Sequence, residues 1–352
     1  MPSVLAFCGF SKSGKTTLLG QVVEILSAQG LRVGVVKHHG HAQAEEALKD
    51  TDRHLKAGAI RVVLTGPGQG AIYWPQAGDP SPLVVAAELK DVDIVLAEGF
   101  KTWPGFKIEV FGPGSRPELL ADPWLIGLAG PASQAPEDGP TFFDRDQPEA
   151  VARLVADCFY PQGRLGPVPD RETCFGLMAR FSMKPNILLH SLVVTEVACR
   201  LACALVRAGQ RLDLPLVEAG ALLHDIAKTE CLHQRCDHAQ RGAEILASLG
   251  YPGLARVVAE HIDPQKAIQG SGLVSASAVV NYADKRVLHE KVVSLDDRGR
   301  DLIARYGTTP QRADWMAEMV ARSQRLEEEL FNLVSIRPGE LEAINLLFTG
   351  QD

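Results

Sequence analysis

Near the middle of the chain a histidine and an aspartate stand side by side, His224-Asp225, at the end of the apolar run Ala219-Gly220-Ala221-Leu222-Leu223. Neighbouring ionisable residues seldom enter such a run unless something satisfies their charge. A divalent cation does so well, because imidazole and carboxylate are both good ligands. Further donors lie on segments with helical spacing: His190 upstream, then His238, His261 and Asp284 downstream. Taken alone, His190 within Ile187-Leu188-Leu189-His190-Ser191-Leu192 would read as a satisfied core residue. Together the six donors point to one shared metal centre, with His190, His224, Asp225, His238, His261 and Asp284 as ligands. Divalent ions held by nitrogen and oxygen lower the pKa of bound water toward neutrality and offset charge on a phosphoryl group. The expected chemistry is hydrolysis of a phosphate ester or anhydride, with Asp225 and Lys228 as the catalytic candidates. In a paired site Asp225 would bridge the ions. Lys228, one turn after His224, either neutralises substrate phosphate or simply ends its helix. Lys285 and Arg286 are weaker cations of the same kind. Affinity order alone does not name the metal.

A second set of chemical residues stands at the N-terminus. Gly9-Phe10-Ser11-Lys12-Ser13-Gly14-Lys15-Thr16 is a full G-x-x-x-x-G-K-T, preceded by the apolar run Val4-Leu5-Ala6-Phe7-Cys8. A helical pattern follows from Thr17, with Leu18, Leu19, Val22, Val23 and Leu26 on one face. Strand, glycine loop and helix make the context a P-loop requires. Backbone amides at such a loop, and the helix N-terminus behind it, converge on phosphate oxygens. Gly9, Ser11, Gly14, Lys15, Thr16 and Thr17 are the candidate nucleotide contacts, with Lys15 on the β/γ-phosphates and the Thr16 hydroxyl on Mg²⁺. The next strand, Leu31 to Val36, ends in Lys37-His38-His39-Gly40-His41. Those histidines suit either a metal or a polar loop beside the phosphates. Asp93-Ile94-Val95-Leu96-Ala97-Glu98 offers two acids, roughly 16 Å apart along a strand. In a parallel sheet the useful acid lies at the carboxyl end, so Glu98 is expected at Mg²⁺ and Asp93 in a structural role. No N-K-x-D follows, so these residues indicate a nucleoside phosphate without naming its base.

The elements that must position these groups divide in two. A length of 352 residues suggests two domains, and 46% hydrophobic with 22% charged residues is a globular composition. Net charge of −7 argues against a nucleic-acid partner. No signal peptide and no apolar run of about 18 residues are expected, hence no membrane partner. Seven cysteines without a C-x-x-C pair suggest free thiols in a reducing cytoplasm. Cys231 and Cys236 flank His233 without the spacing of a zinc element; His233 and His289 read as surface residues. In the first half, 49–59 reads as a helix capped by Asp50 or Thr51, with strands at 60–64 and 71–74. A loop at 136–140 and a helix at 149–159 close it. Pro161 to Pro169 is a Pro/Gly linker, giving domains at 1–160 and 171–352 around a linker at 161–170. Beyond it the spacing predicts helices at 173–182, 186–208, 215–230, 237–249, 253–263, 274–290, 296–305, 310–334 and 338–348. The fold class expected is an α/β P-loop domain, mainly parallel sheet with flanking helices, followed by an all-α domain.

The pattern His190, His224-Asp225, Asp284 resembles the HD superfamily of metal-dependent phosphohydrolases over about 185–290. The resemblance implies metal ligation at those four positions, with manganese or iron as the metal. His238 and His261 match the extra histidines of members that hold two metals. Residues 1 to about 157 resemble the molybdopterin-guanine dinucleotide biosynthesis protein B family of P-loop GTP-binding proteins. Its carriers are Gly9 to Thr16, Lys37-His38, Lys49 to Ala59, Leu96 to Lys101, Lys107-Ile108-Glu109-Val110 and Phe142-Phe143-Asp144. That resemblance implies GTP with Mg²⁺ and adds Asp50 to the nucleotide site. The family's acidic pair and Pro-Gly are replaced here by His41 to Leu48. The expectation is a fusion in molybdenum cofactor biosynthesis. Its first half binds GTP, with weak GTPase activity left open. Its second half hydrolyses a small phosphorylated substrate, a nucleotide or a cofactor. A biosynthesis or loading protein is the expected partner, and a homodimer is compatible. The rival is a GTP-dependent adaptor whose HD half senses a ligand without turnover; a P-loop kinase lacks its lid-like arginines.

Overall fold

The computed structural model describes residues 2–38, 46–74, 80–89, 91–136, 140–263 and 274–343. The first half contains strands β1 (Ser3–Cys8), β2 (Val33–Lys37), β5 (Ile94–Glu98), β6 (Lys107–Val110), β7 (Leu125–Gly130) and β8 (Phe142–Asp144). They form one parallel sheet in the order β2-β5-β1-β6-β7-β8. Helices α1 (Lys15–Ala28), α3 (Pro82–Ala86) and α4 (Pro148–Phe159) flank it. A separate antiparallel hairpin joins β3 (Val62–Gly66) to β4 (Gln69–Tyr73), and α2 (Glu46–Lys56) packs on the hairpin strand β3. β5 and β7 are buried along their whole length and β1 from Val4 onward, as strands covered on both faces must be. Register matters for function: Glu98 lies opposite Phe7 on one side and Lys37 on the other. Three strand ends therefore meet beside the loop that opens α1. Gly9 enters that loop at φ 131°, and a Cβ there would lie 2.0 Å from the Val110 carbonyl oxygen. Only glycine fits.

The second half is helical: α5 (Arg171–Arg180), α6 (Pro185–Arg207), α7 (Leu214–Leu223), α8 (Lys228–Gln234), α9 (His238–Ser248) and α10 (Pro252–Glu260), then α11 (Ala276–Lys285), α12 (Leu295–Tyr306) and α13 (Pro310–Phe331). Side-chain caps set several starts: Asp170, Asp213, Asp237 and Ser275 each accept a backbone N–H of the first turn. α6 is long and apolar enough, by length and composition alone, to cross a bilayer, but 72% of its most apolar window is buried inside the fold. It is the central helix of this half.

Other expectations need correction. The segment 215–230 is not one helix. It breaks at His224-Asp225-Ile226-Ala227, where Ile226 N–H bonds Leu223 and Lys228 N–H bonds Asp225, three residues back. These tighter turns swing both ionisable side chains inward. The segment 274–290 ends early, in a small hairpin of β9 (Val287–Leu288) and β10 (Lys291–Val292). α2 starts at Glu46, so Asp50 and Thr51 lie inside the helix and do not cap it. Cys231 and Cys236 are joined in a disulfide, where free thiols were expected.

The halves share a core. One apolar cluster runs from β1, α1 and α4 into α6, α7 and α11. The backbone N–H of Thr141, just before β8, donates to the Arg207 carbonyl at 2.7 Å, and its hydroxyl to the same oxygen at 2.9 Å. In the Pro/Gly segment, the Arg164 guanidinium forks onto Asp213 at 2.6 and 2.7 Å.

Arg286 is also placed differently from its reading as a phosphate partner. Its side chain, 1% exposed, turns into the C-terminal segment, donating to the Val293 carbonyl at 2.6 Å, Glu327 at 3.0 Å and Glu342 at 2.9 Å. Arg286→Met should lower stability by about 3 kcal/mol, the lower end for breaking a buried pair, because both glutamates keep some contact with water. Urea unfolding at constant slope measures this. A loss below about 1 kcal/mol would mean that the network carries no net weight.

Candidate functional site

Five elements bring six donors together. His190 comes from the second turn of α6 and His224-Asp225 from the break after α7. His238 opens α9, His261 follows α10, and Asp284 lies in the last turn of α11. His190 Nε2 is 3.0 Å from Asp284 Oδ1. His224 Nε2 lies 3.4 Å from Asp225 Oδ2 and 3.6 Å from Asp284 Oδ1. The other Asp225 oxygen, Oδ1, faces His238 Nε2 at 3.3 Å and His261 Nε2 at 3.9 Å. Donor atoms of His190, His224 and Asp284 lie within 4.8 Å of one another, as do those of His224, Asp225 and His261. His224 thus belongs to both clusters, and Asp225 extends the second toward His238.

The backbone fixes the rings. Nδ1 of His190 meets the His289 carbonyl at 3.0 Å, that of His224 the Ala221 carbonyl at 2.8 Å, and that of His261 the Val258 carbonyl at 2.6 Å. A carbonyl only accepts, so each Nδ1 carries the proton and each Nε2 presents its lone pair to the carboxylates. Lone pairs facing each other at these distances need a proton or a cation between them. Two of the atoms, His224 Nε2 and Asp225 Oδ1, are buried without any hydrogen-bond partner. This donor set fits a divalent metal.

Charge tells the same story. Burial alone would push the His224 imidazole down, but Asp225 and Asp284 outweigh it and raise it to about 9. His261 goes the other way, to about 3, through burial and then the neighbouring His224. Burial opposes ionisation of Asp225 and Asp284, yet the surrounding histidines and lysines hold both well below the usual carboxylate range. Lys228 Nζ is 2.6 Å from Asp225 Oδ2, and Lys285 Nζ is 2.6 Å from Asp284 Oδ2. For Lys228, burial lowers the ammonium but Asp225 and Asp284 outweigh it.

Some contributors carried no signal in the sequence. The His289 carbonyl is backbone, so no residue type announces it, although its φ of 60° marks an unusual turn. Asn281 donates to the His261 carbonyl at 2.7 Å, one turn before Asp284. Helical spacing from Asp284 could have found it.

At the glycine loop, Gly14 stands at φ 93° as N-cap of α1. The Lys15 ammonium folds over the loop, donating to the carbonyls of Gly9 and Phe10; burial, then the Glu98 charge opposing it, leaves its pKa below the usual lysine value. The Thr16 hydroxyl donates to Glu98 Oε1 at 2.7 Å, and Lys37 Nζ lies 3.2 Å from Glu98 Oε2. Ser11 and Thr17 are exposed on the loop and first turn. Asp93, at the start of its strand, is held by the Arg32 fork. Asp50 is exposed on α2 and pairs with Arg53 at 3.1 Å. His38 packs against Phe100, with ring centroids 5.1 Å apart; His39 and His41 lie outside the described residues. Arg145, absent from the sequence reading, reaches from the end of β8 to the Ser13 carbonyl at 3.0 Å. A threonine hydroxyl and a carboxylate side by side at a helix N-terminus could hold Mg²⁺, with amides and lysine for phosphate.

Known proteins match both halves. The family model described as molybdopterin guanine dinucleotide synthesis protein B matches residues 4–130, and the HD domain model matches 187–298. A probable molybdopterin-guanine dinucleotide biosynthesis adapter protein of Bacillus subtilis is 31% identical over 153 residues, 42% of this chain and 88% of that protein. The adapter protein of Escherichia coli is 34% identical over 137 residues, 37% of this chain and 78% of that one. The crystal structure of Bacillus subtilis MobB is 26% identical and covers 44% of this chain and 96% of its own, with a TM-score of 0.35.

Proposed function

This chain belongs to the molybdopterin guanine dinucleotide synthesis protein B family, with an HD domain joined behind the family's own, and on that premise we propose that it is a metal-dependent phosphohydrolase coupled to a nucleotide-binding half. The reading divides the chain into a nucleotide domain at 1–160, a linker at 161–170 and a hydrolase domain at 171–352. The carrying observation is the pair of buried, partnerless atoms His224 Nε2 and Asp225 Oδ1 among rings whose other nitrogens are committed to carbonyls. When bound there, one or two divalent ions would activate water and offset phosphoryl charge.

The chain's residues supply the rest. His190, His224, Asp225 and Asp284 would hold one ion, and Asp225 with His238 and His261 would hold a second. Lys228 keeps its charge beside the centre, ready for a substrate phosphate oxygen. In the first half, Lys15 would serve the nucleotide phosphates, and Thr16 with Glu98 would hold Mg²⁺. GTP is the nucleotide and the HD substrate a nucleotide or cofactor phosphate. The work lies in molybdenum cofactor biosynthesis, as the adapter relatives' names suggest. The rival reading, an adaptor whose HD half only senses a ligand, is favoured by those same names.

Elemental analysis of the purified chain, then a phosphatase screen with Mn²⁺ across nucleotides and dinucleotides, separates them. Bound transition metal with turnover supports the hydrolase; a metal-free, inactive chain that binds GTP supports the adaptor. In the metal-free centre the carboxylates hold a proton on His224, whose pKa is about 9. Mn²⁺ entry near pH 7.5 should release about one proton, visible in calorimetry as an enthalpy that depends on the buffer.

A further inference from the structure

We propose that Cys231 and Cys236 form a reversible redox modification site that controls how firmly His238 is held at the metal centre. The inference rests on the metal-centre reading above.

The bonded pair has its Cα atoms 4.7 Å apart and is separated by five positions in sequence. Each end leads directly to Asp225. Cys231 lies on α8, whose first residue, Lys228, sits 2.6 Å from Asp225 Oδ2. Cys236 is followed by Asp237, whose carboxylate caps α9 through the N–H groups of Ala239 and Gln240. His238 comes next, with Nε2 3.3 Å from Asp225 Oδ1. The disulfide closes the loop between two groups that touch the same carboxylate.

Chemistry singles out this pair. Cys8, Cys158, Cys174, Cys199 and Cys203 are buried. Burial pushes the Cys8 and Cys158 thiols up to about 12 and raises the other three strongly as well. A thiolate is the reactive form, so those five are inert. Cys236 lies on the exposed stretch 232–237, open to a small thiol.

The loop is ready to relax when released. Arg235 sits in the left-handed region at φ 57°, its N–H bonded to the Cys231 carbonyl at 2.8 Å. A non-glycine residue holds that conformation at a cost. The disulfide offsets it. Two molecules of a low-mass thiol supply two electrons and two protons. The S–S bond breaks, two protein thiols form, and one low-mass disulfide leaves. The reverse exchange restores the bond. In a reducing compartment an accessible disulfide of this kind would report the local redox balance.

The test uses the full chain and Mn²⁺ as probe. Alkylation with iodoacetamide in denaturant without reductant should label five cysteines, and seven after thiol treatment. Reduction should weaken the second Mn²⁺ about tenfold, as losing an orienting partner does. A chain carrying Cys231→Ser and Cys236→Ser should match the reduced form with or without thiol. Seven labelled cysteines even after exposure to a low-mass disulfide would overturn the proposal. Equal Mn²⁺ affinity in both forms would overturn it too. His238→Ala then separates the failures. If it weakens the second Mn²⁺ while redox state does not, the metal reading stands and the switch falls. If Mn²⁺ binds no form at all, both fall.

Discussion

Asp225→Asn should strip the metal centre and cost at least about 100-fold in Mn²⁺-dependent phosphate release, beyond the range seen when only an outer partner is lost. Asp225 offers both oxygens to the donor set, with Oδ2 toward His224 and Oδ1 toward His238 and His261. The amide keeps the size but removes the charge. One oxygen becomes an NH₂, which cannot ligate a cation and which, at the Oδ2 position, would face the Lys228 ammonium, donor against donor. Elemental analysis and turnover should fall together. Asp93→Asn is the matched control: its partner Arg32 is largely exposed, and the pair is worth at most about 1 kcal/mol. Full metal content and full turnover in Asp225→Asn would sink the assignment.

For the first half, Lys15→Ala should weaken GTP binding by about 10- to 100-fold, since a hydrogen bond to a charged partner contributes about 1.5–3 kcal/mol. The ammonium already lies over the loop, on the Gly9 and Phe10 carbonyls, so a phosphate oxygen replaces short contacts without a large rearrangement. Metal release in the HD half should be untouched. Glu98→Gln should leave binding of nucleotide alone near normal but remove its dependence on Mg²⁺, because Glu98 accepts from the Thr16 hydroxyl. Fluorescent GTP titrations with and without Mg²⁺ read both. An unchanged Kd in Lys15→Ala would remove the nucleotide from the reading.

What the sequence made legible was what residue type and spacing encode. The glycine loop with its lysine, the place of Glu98 at the strand end beside Thr16, and the convergence of the six donors of the helical half are of this kind. So was the change from parallel sheet to helices at the Pro/Gly segment. What stayed hidden depends on main-chain geometry or on contacts far apart in sequence. The break at His224–Ala227 lies within an apolar run that propensity reads as continuous helix; the inward turn of two ionisable side chains overrides it. The His289 carbonyl has no side chain to announce it. Arg145 meets Ser13 across 132 positions, and Arg286 meets Glu342 across 56, distances at which local pattern says nothing. The Cys231–Cys236 bond was missed because composition argued for free thiols throughout.

The apolar cluster that runs through both halves has a thermodynamic meaning. Side chains of α6 lie against β7 and those of α7 against α4, so neither half keeps its full burial without the other. The chain is one cooperative unit in which the Pro/Gly segment is a bridge within a single melting body. A cut at 161–170 would expose apolar faces on both halves, whose joining is held by solvent exclusion as much as by the peptide bond.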